Sequence, residues 1–189
     1  FLGRLSSAPM LTILPGSRRH EVEKNLPAFL RTAKVVQQKC PDVQIAIASY
    51  NEQQAQMAKD MIASSEGLIP PSVHTNRTRE LIRHAHCCLA CSGSVSLELL
   101  HETKPTVIHY QMDRVGDWLQ RRFRRCKFIT LVNLLSSEQR FEYRQPYDPN
   151  DLNALDEAPF PEYLTVEDRS QDMATHLIRW FQQEDTYQH

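Results

Sequence analysis

Short apolar runs alternate along the chain with longer segments in which apolar residues recur every three or four positions. The runs at 11–14, 43–48, 87–91 and 105–110 are typical of buried strands, and a further strand is predicted at 128–132. Helical periodicity follows at about 22–36, 51–65, 77–85 and 95–102. Strands and helices that alternate at this pitch predict βαβ crossovers, and therefore an α/β fold with a doubly wound parallel sheet.

Three regions depart from this regular alternation. Pro27 interrupts the first helical segment, so either one helix kinks there or a first turn at 18–24 precedes a helix capped by Asn25. Residues 136–162 are polar, contain four prolines and are predicted to form a long irregular excursion. A final amphipathic helix is predicted at 165–184, with Thr165 as its N-cap.

Length and composition narrow the class of protein. We expect residues 11–189 to form one domain after a short terminal linker at 1–10. Because the formal net charge is only -1, no nucleic-acid partner is expected. The five cysteines lack the spacing of a disulfide framework, which indicates reduced thiols and a cytoplasmic protein. The chain begins with Phe1 rather than methionine, and we interpret it as a piece of a longer protein.

The first candidate site is LPGSRR at 14–19, where a predicted strand turns into a helix. In an open parallel sheet, ligands bind beyond the carboxyl ends of the strands. Gly16 permits close approach of the backbone, Ser17 offers a hydroxyl, and Arg18 offers a bidentate contact to phosphate. The turn therefore suits an anion, although an ordinary strand-to-helix turn with solvated arginines would have the same residues.

The second candidate site is SGSVSLE at 92–98, at the next predicted strand-to-helix turn. Ser92, Gly93 and Ser94 supply N–H and hydroxyl donors, and Glu98 is placed to accept hydrogen bonds from a ribose diol. In the alternative interpretation Ser94 only caps the helix and Glu98 is a surface acid. The usual glycine-rich signatures of dinucleotide dehydrogenases and P-loop NTPases do not occur, and the G-x-S-x-G turn of serine hydrolases is missing as well.

The run HAHCCLAC at 84–91 contains residue types that bind metals. On a strand, however, successive side chains point to opposite faces, which separates Cys88 from Cys91. No second pair of ligands lies at the spacing of a zinc site. We therefore interpret these cysteines as buried thiols and predict no metal site.

Residues 113–128 form a basic segment, with six Arg or Lys residues against two Asp. If this segment is helical, its cations and aromatic residues could rest on anionic lipid headgroups. The residues expected at such a membrane surface are Trp118, Arg121, Arg122 and Arg125. The alternative is a core-packed helix with a solvated basic face.

Together these motifs resemble the lipid-A-disaccharide synthase family, in the C-terminal half of its GT-B fold. LPGSRRHEV is similar to the family's Leu-Pro-Gly-Ser-Arg-x-x-Glu-Ile/Val signature, and SGSVSLE to its Ser-Gly-Thr-x-x-Leu-Glu turn. The later runs PTVIHYQM, LVNLL and FPEYLT resemble further elements of the same half, in the same order. The resemblance extends from about residue 11 to residue 181.

The resemblance implies a Rossmann-like domain that holds a UDP-linked diacylated glucosamine for transfer to a lipid acceptor, with inversion and without a metal or other cofactor. It assigns the UDP donor to residues of both turns and of the later strands: Gly16, Ser17, Arg18, Glu21, Ser92, Gly93, Ser94, Glu98, Tyr110, Gln111 and Asn133. Within that set Glu98 would contact the ribose, and Tyr110, Gln111 and Asn133 the uracil or donor-sugar side.

The acceptor site and the catalytic base are expected in the N-terminal half of such enzymes, so we expect this chain to bind the donor without turning it over. The resemblance also implies the inner face of the cytoplasmic membrane as the location, and it leaves a homodimer open. Two other functions stay open: another GT-B enzyme, such as a UDP-sugar transferase or epimerase, and a non-catalytic nucleotide-binding module. The second rests on Val132 and Thr165, which stand where the family has proline and glutamine.

Overall fold

The computed structural model describes residues 8–114, 118, 122, 127–137, 147–150 and 158–183. Its strands form one six-stranded sheet in the order β3-β2-β1-β4-β5-β6. The strands are β1 (Met10–Leu14), β2 (Gln44–Ser49), β3 (Ser72–Thr75), β4 (Cys87–Cys91), β5 (Thr106–Gln111) and β6 (Glu162–Thr165). The helices are α1 (Arg19–Lys39), α2 (Glu52–Ala63), α3 (Thr78–His84), α4 (Val95–His101), α5 (Leu131–Ser136) and α6 (Ser170–Gln182).

All neighbouring strands of the sheet run parallel, and β1 lies at its centre. Ile13 of β1 pairs with Ile47 of β2 on one side and with Leu89 of β4 on the other. The chain winds outward from β1 to β3 and then crosses back to β4, so the direction of winding reverses between β1 and β4. A crevice opens at such a reversal, beyond the carboxyl ends of the two strands.

Helices cover both faces of the sheet, which confirms the prediction of a doubly wound α/β fold. Because side chains alternate along a strand, Leu11 and Ile13 of β1 pack into the core beneath α1, α2 and α6. Met10 and Leu14 point to the other face and pack beneath α3, α4 and α5. The short apolar runs in the sequence are therefore strands buried on both sides.

The first helix, α1, runs from Arg19 to Lys39 without interruption and contains Pro27. A proline inside a helix costs about 3 kcal/mol. Leu26 and Phe29 are completely buried on either side of it, and each contributes about 1.5–3 kcal/mol. Burial of this face offsets the cost of the proline. The alternative in which Asn25 caps a second helix is wrong, because Asn25 lies inside α1 and is buried.

The strand predicted at 128–132 does not form. The buried carboxylate of Glu162 accepts hydrogen bonds from the backbone N–H groups of Ile129 and Thr130, and α5 begins at the next residue, Leu131. The chain bends at this point because its N–H donors turn towards that carboxylate. The local signal that favoured a strand is overridden by a contact from a distant part of the chain.

Two strands of the sheet were not predicted from the sequence pattern. β6 begins at Glu162, the last residue of the segment predicted to be irregular, and Leu164 pairs with Tyr110 of β5. Thr165 therefore ends a strand instead of capping a helix, and the last helix begins later, at Ser170. The other missed strand, β3 (Ser72–Thr75), lies at the opposite edge of the sheet and is too short for a periodic signal.

Candidate functional site

Both predicted turns lie at the carboxyl edge of the sheet, where the winding reverses. β1 and β4 are neighbours, with Leu14 opposite Ala90, so the first loop (residues 15–18) and the second loop (residues 92–94) face the same crevice. The two loops line one cavity of about 270 Å³. The predicted site residues that line it are Gly16, Ser17, Arg18, Glu21, Ser92, Gly93 and Ser94.

The first loop is held by a carboxylate of its own helix. Glu21 Oε2 accepts hydrogen bonds from the backbone N–H groups of Ser17 at 2.9 Å and Arg18 at 3.0 Å. Glu21 Oε1 lies 3.4 Å from Arg18 Nη1. Glu21 is the third residue of α1, so this is the carboxylate half of a capping box. The backbone N–H groups of Ser17 and Arg18 are therefore satisfied within the chain.

Glycine is required at position 16 because the Glu21 side chain lies against the loop backbone there. Its φ of +122° lies in a region that L side chains rarely adopt, and an added Cβ would lie 2.5 Å from Glu21 Cβ. The group that approaches the Gly16 backbone is therefore the Glu21 side chain. We expected a bound anion to lie there. In the structure the Glu21 side chain lies against Gly16 and fixes the conformation of the loop.

Residues that the sequence analysis did not single out also support or line the site. Gln54 of α2 is buried, and its side-chain Nε2 donates to the backbone oxygen of Ser17 at 2.7 Å. Its Oε1 accepts from the backbone N–H of Tyr50 at 3.2 Å. Tyr50 and Thr78 line the cavity on the side of β2 and β3. These side chains meet the loop only through the tertiary fold, so no spacing in the sequence identifies them.

The second loop is more open than the first. Among the described residues outside the immediate chain, no heavy atom lies within 4 Å of a Cβ added to Gly93. Ser94 stands at the N-cap position of α4, but its side chain makes no capping hydrogen bond. Instead, Ser96 Oγ donates to the Gly93 carbonyl oxygen at 2.8 Å. Ser94 is therefore the N-cap residue by position, but its hydroxyl does not cap the helix.

Three other predicted site residues lie at the same edge of the sheet but outside the described lining of this cavity. Glu98 lies one turn beyond Ser94, and its carboxylate is 3.5 Å from Arg79 Nε in α3. Tyr110 and Gln111 end β5 and are half-buried.

Asn133 is placed differently from these residues, because it is completely buried. Its Nδ2 donates to Phe160 O at 2.8 Å and to Glu162 Oε2 at 3.1 Å, and its Oδ1 accepts from the Phe160 N–H at 3.1 Å. Both ends of the amide are used inside the protein. We therefore assign Asn133 to holding β6 against α5 rather than to touching a ligand.

The thiols near the cavity are shielded from solvent. Burial raises the pKa of Cys88 and of Cys91 to about 12, so both are neutral thiols at physiological pH. Cys88 packs in the core beneath α3, α4 and α5, whereas Cys91 Sγ faces Asn25 of α1 on the opposite side. In the part of the chain that is described, no group of three or more His, Cys, Asp or Glu residues could hold a metal ion.

The basic segment is described at only a few positions. Arg114, Trp118 and Arg122 have helical backbone conformations and are exposed, with 64% of Trp118 accessible to solvent. Arg121 and Arg125 lie outside the described residues. Of the helices that the structure describes, none combines the length and the apolar character needed to cross a membrane.

Comparison with known proteins places these motifs in a family context. The family model described as lipid-A-disaccharide synthetase matches residues 4–178. A lipid-A-disaccharide synthase of Hahella chejuensis is 31% identical over 137 residues, which cover 72% of this chain and 35% of that protein. A lipid-A-disaccharide synthase of Alteromonas mediterranea is 29% identical over 188 residues, which cover 98% of this chain and 44% of that protein.

This chain therefore spans less than half the length of either curated relative. Among solved structures, the crystal structure of a GtfA/B complex aligns with a TM-score of 0.41 and 13% identity, covering 93% of this chain and 33% of that one.

Proposed function

The chain belongs to the lipid-A-disaccharide synthetase family, and we propose that it is the half of a GT-B glycosyltransferase that holds the UDP-linked, diacylated glucosamine donor. The observation that carries this proposal is the convergence of both family motifs on one cavity at the reversal of the sheet. Open α/β sheets bind nucleotides at this place. The chain covers less than half of its curated relatives, so we assign to it donor binding rather than the whole transfer reaction.

We assign the diphosphate of the donor to the open side of the second loop. The free space at Gly93 lets a ligand approach the backbone closely, and the half-buried or exposed hydroxyls of Ser92 and Ser94 flank that position. Across the cavity, the Arg18 side chain is 74% exposed and can add a charge-assisted contact. This arrangement stabilises a leaving diphosphate with an arginine and backbone dipoles, and it requires no cation.

Glu21 has a different role in this proposal from the direct contact that we expected. An uncompensated carboxylate beside a diphosphate would repel it. Glu21 accepts two backbone N–H groups and lies against Arg18, so its charge is compensated within the loop. It fixes the conformation in which Ser17 and Arg18 face the ligand.

The remaining parts of the donor are assigned around this centre. We propose that Glu98 accepts hydrogen bonds from the ribose diol, which requires its carboxylate to leave or share its contact with Arg79. Tyr110 and Gln111 are assigned to the uracil or donor-sugar side, because β5 ends at the same edge as β4. Tyr50 presents a mostly exposed ring at the opposite wall, where it can contact a nucleoside or a sugar.

A lipid-linked donor also requires access to a membrane surface. We propose that the basic segment contacts anionic headgroups through Trp118 and Arg122, which are both exposed. Co-sedimentation with vesicles that contain anionic phosphatidylglycerol should fall as salt rises, because exposed charges are screened. Binding that is absent, or that does not change with salt, would remove the electrostatic part of the proposal.

Calorimetric titration of UDP into the 189-residue chain tests the donor site directly. We expect measurable binding of UDP, weaker binding of UMP, and tighter binding of the UDP-linked diacylated sugar than of UDP-N-acetylglucosamine. No heat with millimolar UDP would overturn the proposal. Equal affinity for the acylated and unacylated sugars would favour another UDP-sugar enzyme over a lipid A enzyme.

A further inference from the structure

Behind the two loops, the side chain of Asn25 in α1 is almost completely buried, with 1% exposed. Its Nδ2 donates to the backbone oxygen of Glu21 at 2.8 Å and lies 3.4 Å from Cys91 Sγ. Its Oδ1 accepts from the backbone N–H of Gln111 at 2.9 Å and lies 3.0 Å from His109 Nδ1. One amide therefore contacts a helix and two strands.

Each of these contacts leads to a different part of the donor site. Glu21 carries the carboxylate that holds the first loop. Cys91 is the last residue of β4 and directly precedes the second loop. Gln111 ends β5, next to Tyr110. A shift of Asn25 would change the position of all three relative to one another.

The donor and acceptor pattern fixes how the amide points. The N–H of Gln111 can only donate, so the atom of Asn25 that faces it must be the oxygen. The same oxygen faces His109 Nδ1, which must then carry the proton. His109 Nε2 is left as a buried acceptor without a partner among the described residues. A carboxylate at position 25 would keep both accepting contacts and lose both donating ones.

We propose that Asn25 is a positioning residue of the donor site, which sets the first loop, the second loop and the end of β5 in register for the UDP moiety. This inference rests on the proposed function for the identity of the ligand, while the geometry that it describes is independent of any ligand. Because affinity depends on groups that are held in place before binding, looser loops should weaken UDP binding.

The test compares Asn25→Ala with Thr32→Val in the 189-residue chain. Thr32 is a matched control, because it is buried in the same helix and, among the described residues, its Oγ1 bonds only back to Ala28 O at 2.9 Å. Amide hydrogen exchange is followed by NMR at Ser17, Arg18 and Gln111, and UDP affinity by calorimetry. We expect Asn25→Ala to accelerate exchange at these amides by about tenfold and to lower the affinity for UDP by about tenfold.

Thr32→Val should lower the melting temperature while leaving site exchange and UDP affinity unchanged. If Asn25→Ala and Thr32→Val change exchange at the loops and UDP affinity equally, the positioning role is overturned. Asn25→Asp gives a second comparison: exchange should stay slow at Gln111, whose acceptor survives, and rise at Ser17 and Arg18. A uniform rise at all three amides would contradict the proposed chain of contacts.

A measurement on the unchanged protein tests the orientation even if the Asn25 variants do not fold. The ¹⁵N shifts of the His109 ring should show a proton on Nδ1, and a proton on Nε2 would overturn the proposal. The outcomes also separate this inference from the proposed function. Absence of UDP binding in the unchanged chain would refute the donor site, while the exchange pattern would still decide the role of Asn25.

Discussion

Replacing Gly93 with alanine adds one methyl group to the turn after β4, at a place where the described fold leaves space for it. Among the described residues, and apart from Gly93 and its two chain neighbours, no heavy atom lies within 4 Å of the added Cβ. Two other glycines provide matched comparisons. Gly16, in the first loop, has a φ of +122°, and Gly67, in the loop between α2 and β3, has a φ of +68°.

The three substitutions should differ in their effect on stability. Gly93→Ala removes freedom from the unfolded chain without creating strain, so it should leave the free energy of unfolding unchanged or raise it by up to about 1 kcal/mol. Gly16→Ala combines about 1–3 kcal/mol of backbone strain with the overlap against Glu21 Cβ at 2.5 Å. Gly67→Ala should cost about 1–2 kcal/mol, because a side chain disfavours the positive φ of this residue. The added Cβ contributes little more, since it meets only the flexible end of Lys34.

The effects on UDP binding should follow a different order. If the diphosphate lies against the Gly93 backbone, the new methyl group occupies its place and removes one or two charge-assisted hydrogen bonds. Each is worth about 1.5–3 kcal/mol, so UDP should bind about tenfold more weakly if one weak bond is lost and up to about 10⁴-fold more weakly if two strong ones are lost. Gly67 lies outside the described lining of the cavity, so Gly67→Ala should bind UDP as the unchanged protein does.

Thermal melting and calorimetry on the same samples measure both quantities. The expected result is a crossed pattern, in which Gly93→Ala is stable and binds weakly while Gly67→Ala is less stable and binds normally. A 1 kcal/mol change should move the melting temperature by about 2–4 °C in a chain of this size. Normal UDP affinity in Gly93→Ala would refute the placement of the diphosphate, and normal melting of Gly16→Ala would refute the role of Gly16 in the first loop.

Three further predictions concern single side chains. Glu21→Gln should lower the free energy of unfolding in urea by about 1–2 kcal/mol, because it removes one carboxylate oxygen that accepts hydrogen bonds in the first loop. Glu23→Gln in the same helix is the control and should change that free energy by less than about 0.5 kcal/mol. Equal effects of the two substitutions would contradict the assigned loop contact. Burial lowers the pKa of His109 from 6.5 to about 4, so the unfolded chain takes up this proton first as pH falls. Stability should therefore drop by about 2 kcal/mol more in the unchanged protein than in His109→Asn between pH 7.5 and 5, and parallel pH curves would refute this. Asn133→Ala should cost about 1–3 kcal/mol in urea and leave UDP affinity intact, and a selective loss of affinity would restore Asn133 as a ligand contact.

The periodic parts of the fold could be predicted from the sequence because their signals are local. β1, β2, β4 and β5 are apolar runs buried on both faces, and a run of this kind is visible without knowledge of the partner. One failure occurs where a distant group decides the local structure. The turn before α5 depends on Glu162, which lies some thirty residues away along the chain.

The candidate site was predicted in part for a similar reason. Its two loops follow strands, and the place where strands end can be read from the sequence. The contacts of Gln54 with the Ser17 carbonyl and of Asn25 with Gln111 arise only when separate elements pack together. The role of Glu21 was also missed, although its spacing of three residues from Arg18 fits a capping box and could have indicated it.

In the proposed function, the two loops contribute differently to binding the diphosphate. The first loop contains the more specific motif, yet its backbone donors are already bonded to Glu21, so it reaches its conformation without a ligand. The second loop has the simpler sequence, and the space beside Gly93 is open to the diphosphate that we propose there. A preformed loop that presents Arg18 opposite an open one costs little reorganisation when the ligand arrives. Under this interpretation the first motif extends as far as Glu21 because that carboxylate holds the loop in shape. The ligand is then bound mainly by Ser92, Gly93 and Ser94.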